Sequence, residues 1–84
     1  MTEIWLDAAL DEWEAREHPD DELRNTVLDF IAALTPTVVA RDWVRYAADE
    51  NRFEARVPQT RVFVEVYVFC EIGQIEVIEI AAGG

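Results

Sequence analysis

The hydrophobic positions divide the chain into an N-terminal half with helical spacing and a C-terminal half with alternating spacing. Apolar residues recur every three or four positions between Asp7 and Glu17, which predicts a first helix with Asp7 as its N-cap. A second stripe at the same spacing consists of Leu23, Val27, Phe30, Ile31 and Leu34. It predicts a second helix that begins at Pro19 and stops at Thr35-Pro36. Because the connection is short, the two helices should form an antiparallel hairpin.

The C-terminal half predicts a meander of three antiparallel strands. Residues 53–57 alternate between apolar and polar side chains, and Pro58-Gln59-Thr60 marks a turn. In the long central strand, the even-numbered residues from Val62 to Cys70 are apolar and are expected to face the helices. Gly73-Gln74 then predicts a tight hairpin into a last strand that ends at Ile80.

Two segments stay open at this stage. Thr2–Leu6 fits a short edge strand as well as an irregular approach to the first helix. Residues 37–51 combine a helical stripe with many β-formers, and a short helix or irregular connection ending in a polar turn at 49–51 is slightly favoured. The predicted fold class is therefore α+β. It is a single domain over residues 1–84 whose helical hairpin, with or without a preceding edge strand, packs on one face of a three- to four-stranded antiparallel meander sheet. Residues 81–84 are expected to be a loose tail.

The composition indicates the cellular compartment in which the chain is expected. The chain has no apolar run near the roughly 20 residues that span a bilayer, and its first residues are acidic, unlike a signal peptide. The single cysteine, Cys70, cannot close an intrachain disulfide, which is typical of a reducing compartment. A cytoplasmic protein without a membrane partner is expected.

The charges are unevenly distributed. The net charge is −11, and five of the seven arginines lie between residues 37 and 61. Lysine is absent, which fits either a GC-rich or high-salt host or a choice of arginine for its bidentate grip on carboxylate and phosphate. The helices carry a run of acids between Asp11 and Glu22 that is either a solvated surface or a surface that docks on a basic partner. Its candidate binding residues are Asp11, Glu14 and Asp21.

No metal or cofactor site is predicted, because His18 and Cys70 lie far apart in sequence and neither belongs to a ligand-spaced cluster. The remaining candidate chemistry is the arginine set on the sheet. Arg56 and Arg61 are expected side by side next to Tyr67 on the open face, where guanidinium groups could hold a phosphate. The alternative is that these arginines pair with glutamates across the strands.

The segment from Arg52 to Val68 has a distinctive order. An aromatic residue, an acid and Arg-Val precede a short turn, and a second Arg-Val then leads into alternating apolar residues. This unit resembles the sheet segment of the RelE/ParE toxin superfamily, and residues 73–80 are similar to that family's last hairpin. The helical hairpin and Thr2–Leu6 occupy the places of the family's own hairpin and first edge strand.

The resemblance implies a toxin of a toxin–antitoxin pair that acts by binding a macromolecular target or an antitoxin. RelE-type members cut messenger RNA on the ribosome, whereas ParE-type members act on gyrase. By the resemblance Arg61 matches a position that contacts the scissile phosphate, and Arg56 and Tyr67 would share the reaction. Such an activity would be a metal-independent endoribonuclease that needs no cofactor. Further binding residues on the arginine-bearing side would be Arg41, Arg45 and Arg52.

The chain also departs from the ribonuclease branch. Ala81-Ala82-Gly83-Gly84 stands where those toxins carry Arg or Lys followed by Tyr or His, and a net charge of −11 opposes RNA binding. Cleavage is therefore expected to be weakened or lost. The partner would be a protein, either an antitoxin or a basic target. Binding of RNA at the arginine-bearing face and formation of a homodimer are both left open.

An alternative function comes from a different class. An acidic inhibitor or immunity-type protein would use the Asp11–Glu22 surface to block a basic nuclease or nucleic-acid-binding complex. A scaffold or housekeeping subunit with no site of its own also fits the composition.

Overall fold

The computed structural model describes residues 2–45 and 51–83, in which helices come first and most of the sheet comes last. In chain order the elements are β1 (Glu3–Trp5), α1 (Asp7–Glu17), α2 (Asp21–Ala32), α3 (Pro36–Asp42), β2 (Val44–Arg45), β3 (Arg52–Arg56), β4 (Val62–Phe69), a 3-10 turn (Cys70–Ile72) and β5 (Gln74–Ala82). The α+β class is confirmed. Most of the polar turn predicted at 49–51 lies outside the described residues.

The sheet has five strands in the order β1-β5-β4-β3-β2. The predicted antiparallel meander of β3, β4 and β5 is confirmed. The optional edge strand at Thr2–Leu6 also forms, but β1 runs parallel to β5, so the sheet is mixed and the prediction of a purely antiparallel sheet was wrong. Alternation within Thr2–Leu6 can indicate that a strand forms. It does not indicate which strand it pairs with, because β5 is distant in sequence.

The first helix ends as predicted but begins differently. His18 takes a left-handed conformation with φ 47°, and its backbone N–H donates to the Glu14 carbonyl to close α1. Asp7 is the first helical residue and not the N-cap; Leu6 occupies the cap position without a side-chain bond. No helix in the described ranges is long and apolar enough to cross a membrane.

Two side-chain caps place the later helices. The Asp20 carboxylate accepts the backbone N–H of Leu23, so α2 begins after Asp20 and the predicted start at Pro19 was wrong. Thr35 caps α3 in the same way, with Pro36 at its first position. The ambiguous segment therefore starts as a short helix, and β2 follows it.

The core lies between the helices and the inner face of the sheet. Val62, Val64, Val66 and Val68 of β4 are buried there, as predicted from their alternation. The helices contribute Ala9, Trp13, Val27, Ile31 and Val39 to the same cluster. Cys70 is the exception to the predicted face, because β4 ends at Phe69 and the cysteine lies exposed in the 3-10 turn.

A bulge interrupts β5. Glu65 pairs with Glu79 and Val66 pairs with Val77, so Ile78 is an additional residue without its own partner in β4. The extra residue lets both Val77 and Ile80 face the core although they are three positions apart.

The last strand is longer than predicted. It runs to Ala82, and the Gly83 N–H donates to the Arg61 carbonyl at 2.6 Å. Residues 81–83 of the predicted loose tail are therefore attached to the sheet, and Gly84 lies outside the described residues. The Phe63 ring lies directly over Gly83, where a Cβ would sit 2.0 Å from a ring carbon. Only glycine leaves room for the ring in this position.

The difference in burial between Val66 on β4 and Val44 on β2 predicts that the same substitution lowers stability by different amounts at the two positions. Val66 is 0% exposed and Val44 is 73% exposed. Val66→Ala should lower the free energy of unfolding by roughly 2–3 kcal/mol through lost burial and a cavity, whereas Val44→Ala should change it by less than about 0.5 kcal/mol. Urea denaturation followed by circular dichroism measures both. Equal effects at the two positions would contradict the assignment of the inner face.

Candidate functional site

The outer face of the sheet carries side chains in rows that cross the strands. The central row, here called the acidic row, places three glutamates on adjacent strands: Glu54, Glu65 and Glu79. One step toward the 3-10 turn lies a row of mixed character: Arg52, Tyr67, Glu76 and Trp5. One step in the other direction lies a third row: Arg56, Phe63 and Ala81.

The acidic row concentrates negative charge. Directly opposite side chains on neighbouring strands have Cβ atoms only about 4.5–5.5 Å apart, and like charges at that spacing are unfavourable. Glu65, in the middle, is only 9% exposed. It forms an ion pair with Arg52 from the adjacent row. Together with Phe63 and Ala81, the three carboxylates line a shallow groove on the outer face.

Aromatic rings flank the acidic row on the side of the 3-10 turn. The Arg52 guanidinium carbon lies 5.9 Å from the centre of the Tyr67 ring, in the range of a cation–π contact. The Tyr67 and Phe69 ring centres are 6.3 Å apart. Trp5 is 55% exposed on the edge strand, and its indole N–H donates to the Glu3 carboxylate.

The predicted catalytic residues do not meet. Arg56 pairs with Phe63, four residues before Tyr67 along β4, which corresponds to about 13 Å. Arg61 lies just before β4, six residues or about 20 Å from Tyr67. The acidic row crosses the strands between Arg56 and Tyr67. Arg56 and Arg61 do share the end of the sheet where β3 turns into β4.

The turn after β3 is the physical reason. The Val57 N–H donates to the Val62 carbonyl at 2.8 Å, which closes a turn of residues 58–61 and fixes the register of the two strands. That register places Arg52 beside Tyr67, where the sequence had suggested Arg56 and Arg61. The expected juxtaposition was therefore wrong, although each residue lies on the predicted element.

The other predicted arginines are dispersed. Arg41, on α3, donates two hydrogen bonds to Asp42 at 2.9 and 3.0 Å, which raise the pKa of Arg41 and lower that of Asp42. The Arg45 guanidinium carbon lies 5.5 Å from the centre of the Phe53 ring. Phe53 faces the core, so Arg45 belongs to the opposite side of the sheet from Arg52.

The acidic run on the helices is mostly at the surface. Glu14 pairs with Arg24, and Arg16 donates to the Ile80 carbonyl at 2.7 Å. Both arginines of this region are thus engaged within the chain. Five exposed acids of this run make no salt bridge with any described residue: Asp11, Glu12, Asp20, Asp21 and Glu22.

Sequence reasoning missed the acidic row and the aromatic residues at the sheet edge. The alternation Glu3-Ile4-Trp5 contained a signal for the exposure of Trp5, but the acidic row depends on strand register. Among residues 2–45 and 51–83, no group of three His, Cys, Asp or Glu side chains is placed to hold a metal ion.

Comparisons with protein-family models, curated proteins and solved structures found no match for the chain.

The ion pair between Arg52 and Glu65 predicts that loss of Arg52 lowers the stability of the domain. Arg52→Ala should destabilise the domain by roughly 1–3 kcal/mol, because it removes the guanidinium from a largely buried carboxylate. Adding Glu65→Gln should recover at least part of the loss, as a double-mutant cycle in urea would measure.

The matched control is Arg41→Ala, which removes an exposed, solvent-screened arginine–carboxylate pair and should cost clearly less than Arg52→Ala. If Arg52→Ala costs no more than Arg41→Ala, the pair with Glu65 does not support the outer face.

Proposed function

We propose that this domain is a RelE/ParE-like protein that acts by binding a protein partner and does not cut RNA. The observation that carries the proposal is the separation of Arg56 and Arg61 from Tyr67 by the acidic row. Groups that transfer protons and hold a scissile phosphate must reach the same atoms, within about 3 Å of each. The backbone positions of Arg56 and Tyr67 are about 13 Å apart along the strands, and a phosphate held by both side chains would have to lie over the acidic row.

Electrostatics favours the same conclusion. Phosphate contacts dominate the affinity of proteins for nucleic acids. Here the net charge is −11, and an RNA backbone on the outer face would lie against three carboxylates. A protein partner with basic groups would instead be attracted by these carboxylates.

The order of the elements supports the toxin-family scaffold. Two helices, α1 and α2, precede a meander sheet, with β1 as an additional edge strand, in the order that the resemblance implies. The outer face also displays Trp, Tyr and Arg side chains, which are enriched in the energetically dominant parts of protein interfaces.

RNA cleavage is the direct test. The purified domain should leave both free messenger RNA and messenger RNA on translating ribosomes intact, with a RelE-type toxin as the positive control. Arg61→Ala should change neither this result nor growth on expression, since Tyr67 lies six residues, or about 20 Å, from Arg61. Cleavage or growth inhibition that Arg61→Ala abolishes would overturn the proposal.

A second candidate is the acidic inhibitor or immunity-type protein. It is favoured because Arg24 pairs with Glu14 and Arg16 binds the Ile80 carbonyl, so neither arginine pairs with Asp11, Asp21 or their neighbours on α1 and α2. Such a surface would attract a basic nuclease at long range and lose affinity as salt rises.

This candidate predicts a specific pattern of binding. A combined Asp11→Asn, Asp21→Asn and Glu22→Gln variant should lose most of its affinity for a fluorescent arginine-rich peptide, whereas Trp5→Ala should keep it. Fluorescence anisotropy measures both. The opposite pattern would locate binding on the sheet.

A further inference from the structure

One end of the outer face exposes aromatic surface. The aromatic patch consists of Trp5, Tyr67 and Phe69. Trp5 and Phe69 are 55% and 39% exposed, respectively. Tyr67 is half-buried on β4, and Glu76 of β5 lies between it and Trp5. All three lie at the end of the outer face next to the 3-10 turn, where β1 joins β5 and the Glu3 N–H donates to the Gly73 carbonyl at 2.9 Å. Ile72, 68% exposed, lies in the same turn.

Contacts within the chain hold the rings of the patch in place. Glu3 accepts the indole N–H of Trp5, and Arg52 lies over Tyr67 while pairing with Glu65. Aromatic side chains have only two rotatable bonds, and these contacts restrict them before any partner arrives. Ordering the patch on binding should therefore cost little entropy.

The charges around the patch select its occupant. The outward-facing residues of the described strands include five carboxylates against two guanidinium groups. The carboxylates belong to Glu3, Glu54, Glu65, Glu76 and Glu79, and the guanidinium groups to Arg52 and Arg56. A second copy docked through the same face would bring an equal set of carboxylates against these, because a two-fold interface opposes identical patches. Nucleic acid would be repelled in the same way.

We propose that the outer face of the sheet docks a basic, amphipathic segment of a protein partner. Its apolar side chains would cover Trp5, Tyr67 and Phe69, and its arginines or lysines would reach the acidic row. The two sites lie one outward-facing position apart along β4, or about 7 Å, so one segment can engage both. This inference rests on the proposed protein-binding function and names its surface and the chemistry of its partner.

Trp5 provides a natural reporter for the test. The other two tryptophans, Trp13 and Trp43, are buried, so quenching of tryptophan fluorescence by acrylamide reports mainly on Trp5. The probe is a synthetic amphipathic peptide with leucine on one face and arginine on the other. Its matched control replaces every arginine with citrulline, which keeps the shape and removes the charge.

The arginine peptide should protect Trp5 from acrylamide, and the citrulline peptide should bind at least about tenfold more weakly. Phe69→Ala should weaken binding of the arginine peptide about tenfold, as expected for the loss of an interface anchor. Glu54→Gln combined with Glu79→Gln should also weaken it and should reduce the loss of affinity between about 0.05 and about 0.5 M salt.

Two control variants locate the site. Thr37→Ala removes an exposed side chain on α3, on the helical side of the sheet, and should leave the affinity within about twofold. The Asp11→Asn, Asp21→Asn and Glu22→Gln variant should do the same. Circular dichroism verifies that each variant is folded.

Several outcomes would overturn the inference. These are absence of binding up to about 1 mM peptide, equal binding of the citrulline peptide, protection of Trp5 by RNA, or a dimer in sedimentation that Phe69→Ala dissociates. Loss of binding only in the helix variant would move the site to α1 and α2 while leaving protein binding intact. RNA cleavage that depends on Arg61 would instead contradict the proposed function. Because cleavage is measured separately from the peptide titration, failure of the docking site and failure of the proposed function can be distinguished.

Discussion

Burial of four alternate valines in β4 is the constraint on which the rest of the outer face depends. Val62, Val64, Val66 and Val68 face the helices from the middle strand of the sheet and form the centre of the core. Side chains alternate along a strand, so Phe63, Glu65 and Tyr67 are forced outward, and a slip of one residue would exchange the two sets. The apolar face of β4 thereby determines which polar groups can meet a partner.

The bulge at Ile78 extends this control to β5. If the register of Val66 with Val77 continued without a bulge, Ile78 would oppose Glu65, and Glu79 would oppose Val64 on the buried face. The additional residue turns Glu79 outward and aligns it with Glu65, while Ile80 returns to the core. The same irregularity thus avoids a buried charge and completes the acidic row.

The sequence predicted what depends on local periodicity and missed what depends on register. Alternation located β3, β4 and β5 and assigned the valines to the core, and the αL closure of α1 at His18 agreed with the expected end of that helix. The pairing of Arg52, and not Arg56, with Tyr67 follows from the turn at 58–61, whose length no periodicity reveals. Cys70 left the predicted face because the chain leaves the strand after Phe69. The parallel partner of β1 depended on a contact with residues some seventy positions away.

The acidic row is difficult to explain by stability alone. Three carboxylates in adjacent cross-strand positions repel one another, and a neutral glutamine at any of them would suit the same strand. Arg52 pairs with Glu65 from one neighbouring row, and Arg56 lies in the other neighbouring row, opposite Phe63. Sequences tend to break local rules of this kind where a function requires it. A cationic segment laid across the row would offset the repulsion, so the unfavourable charge of the isolated domain would become a source of affinity and specificity in the complex.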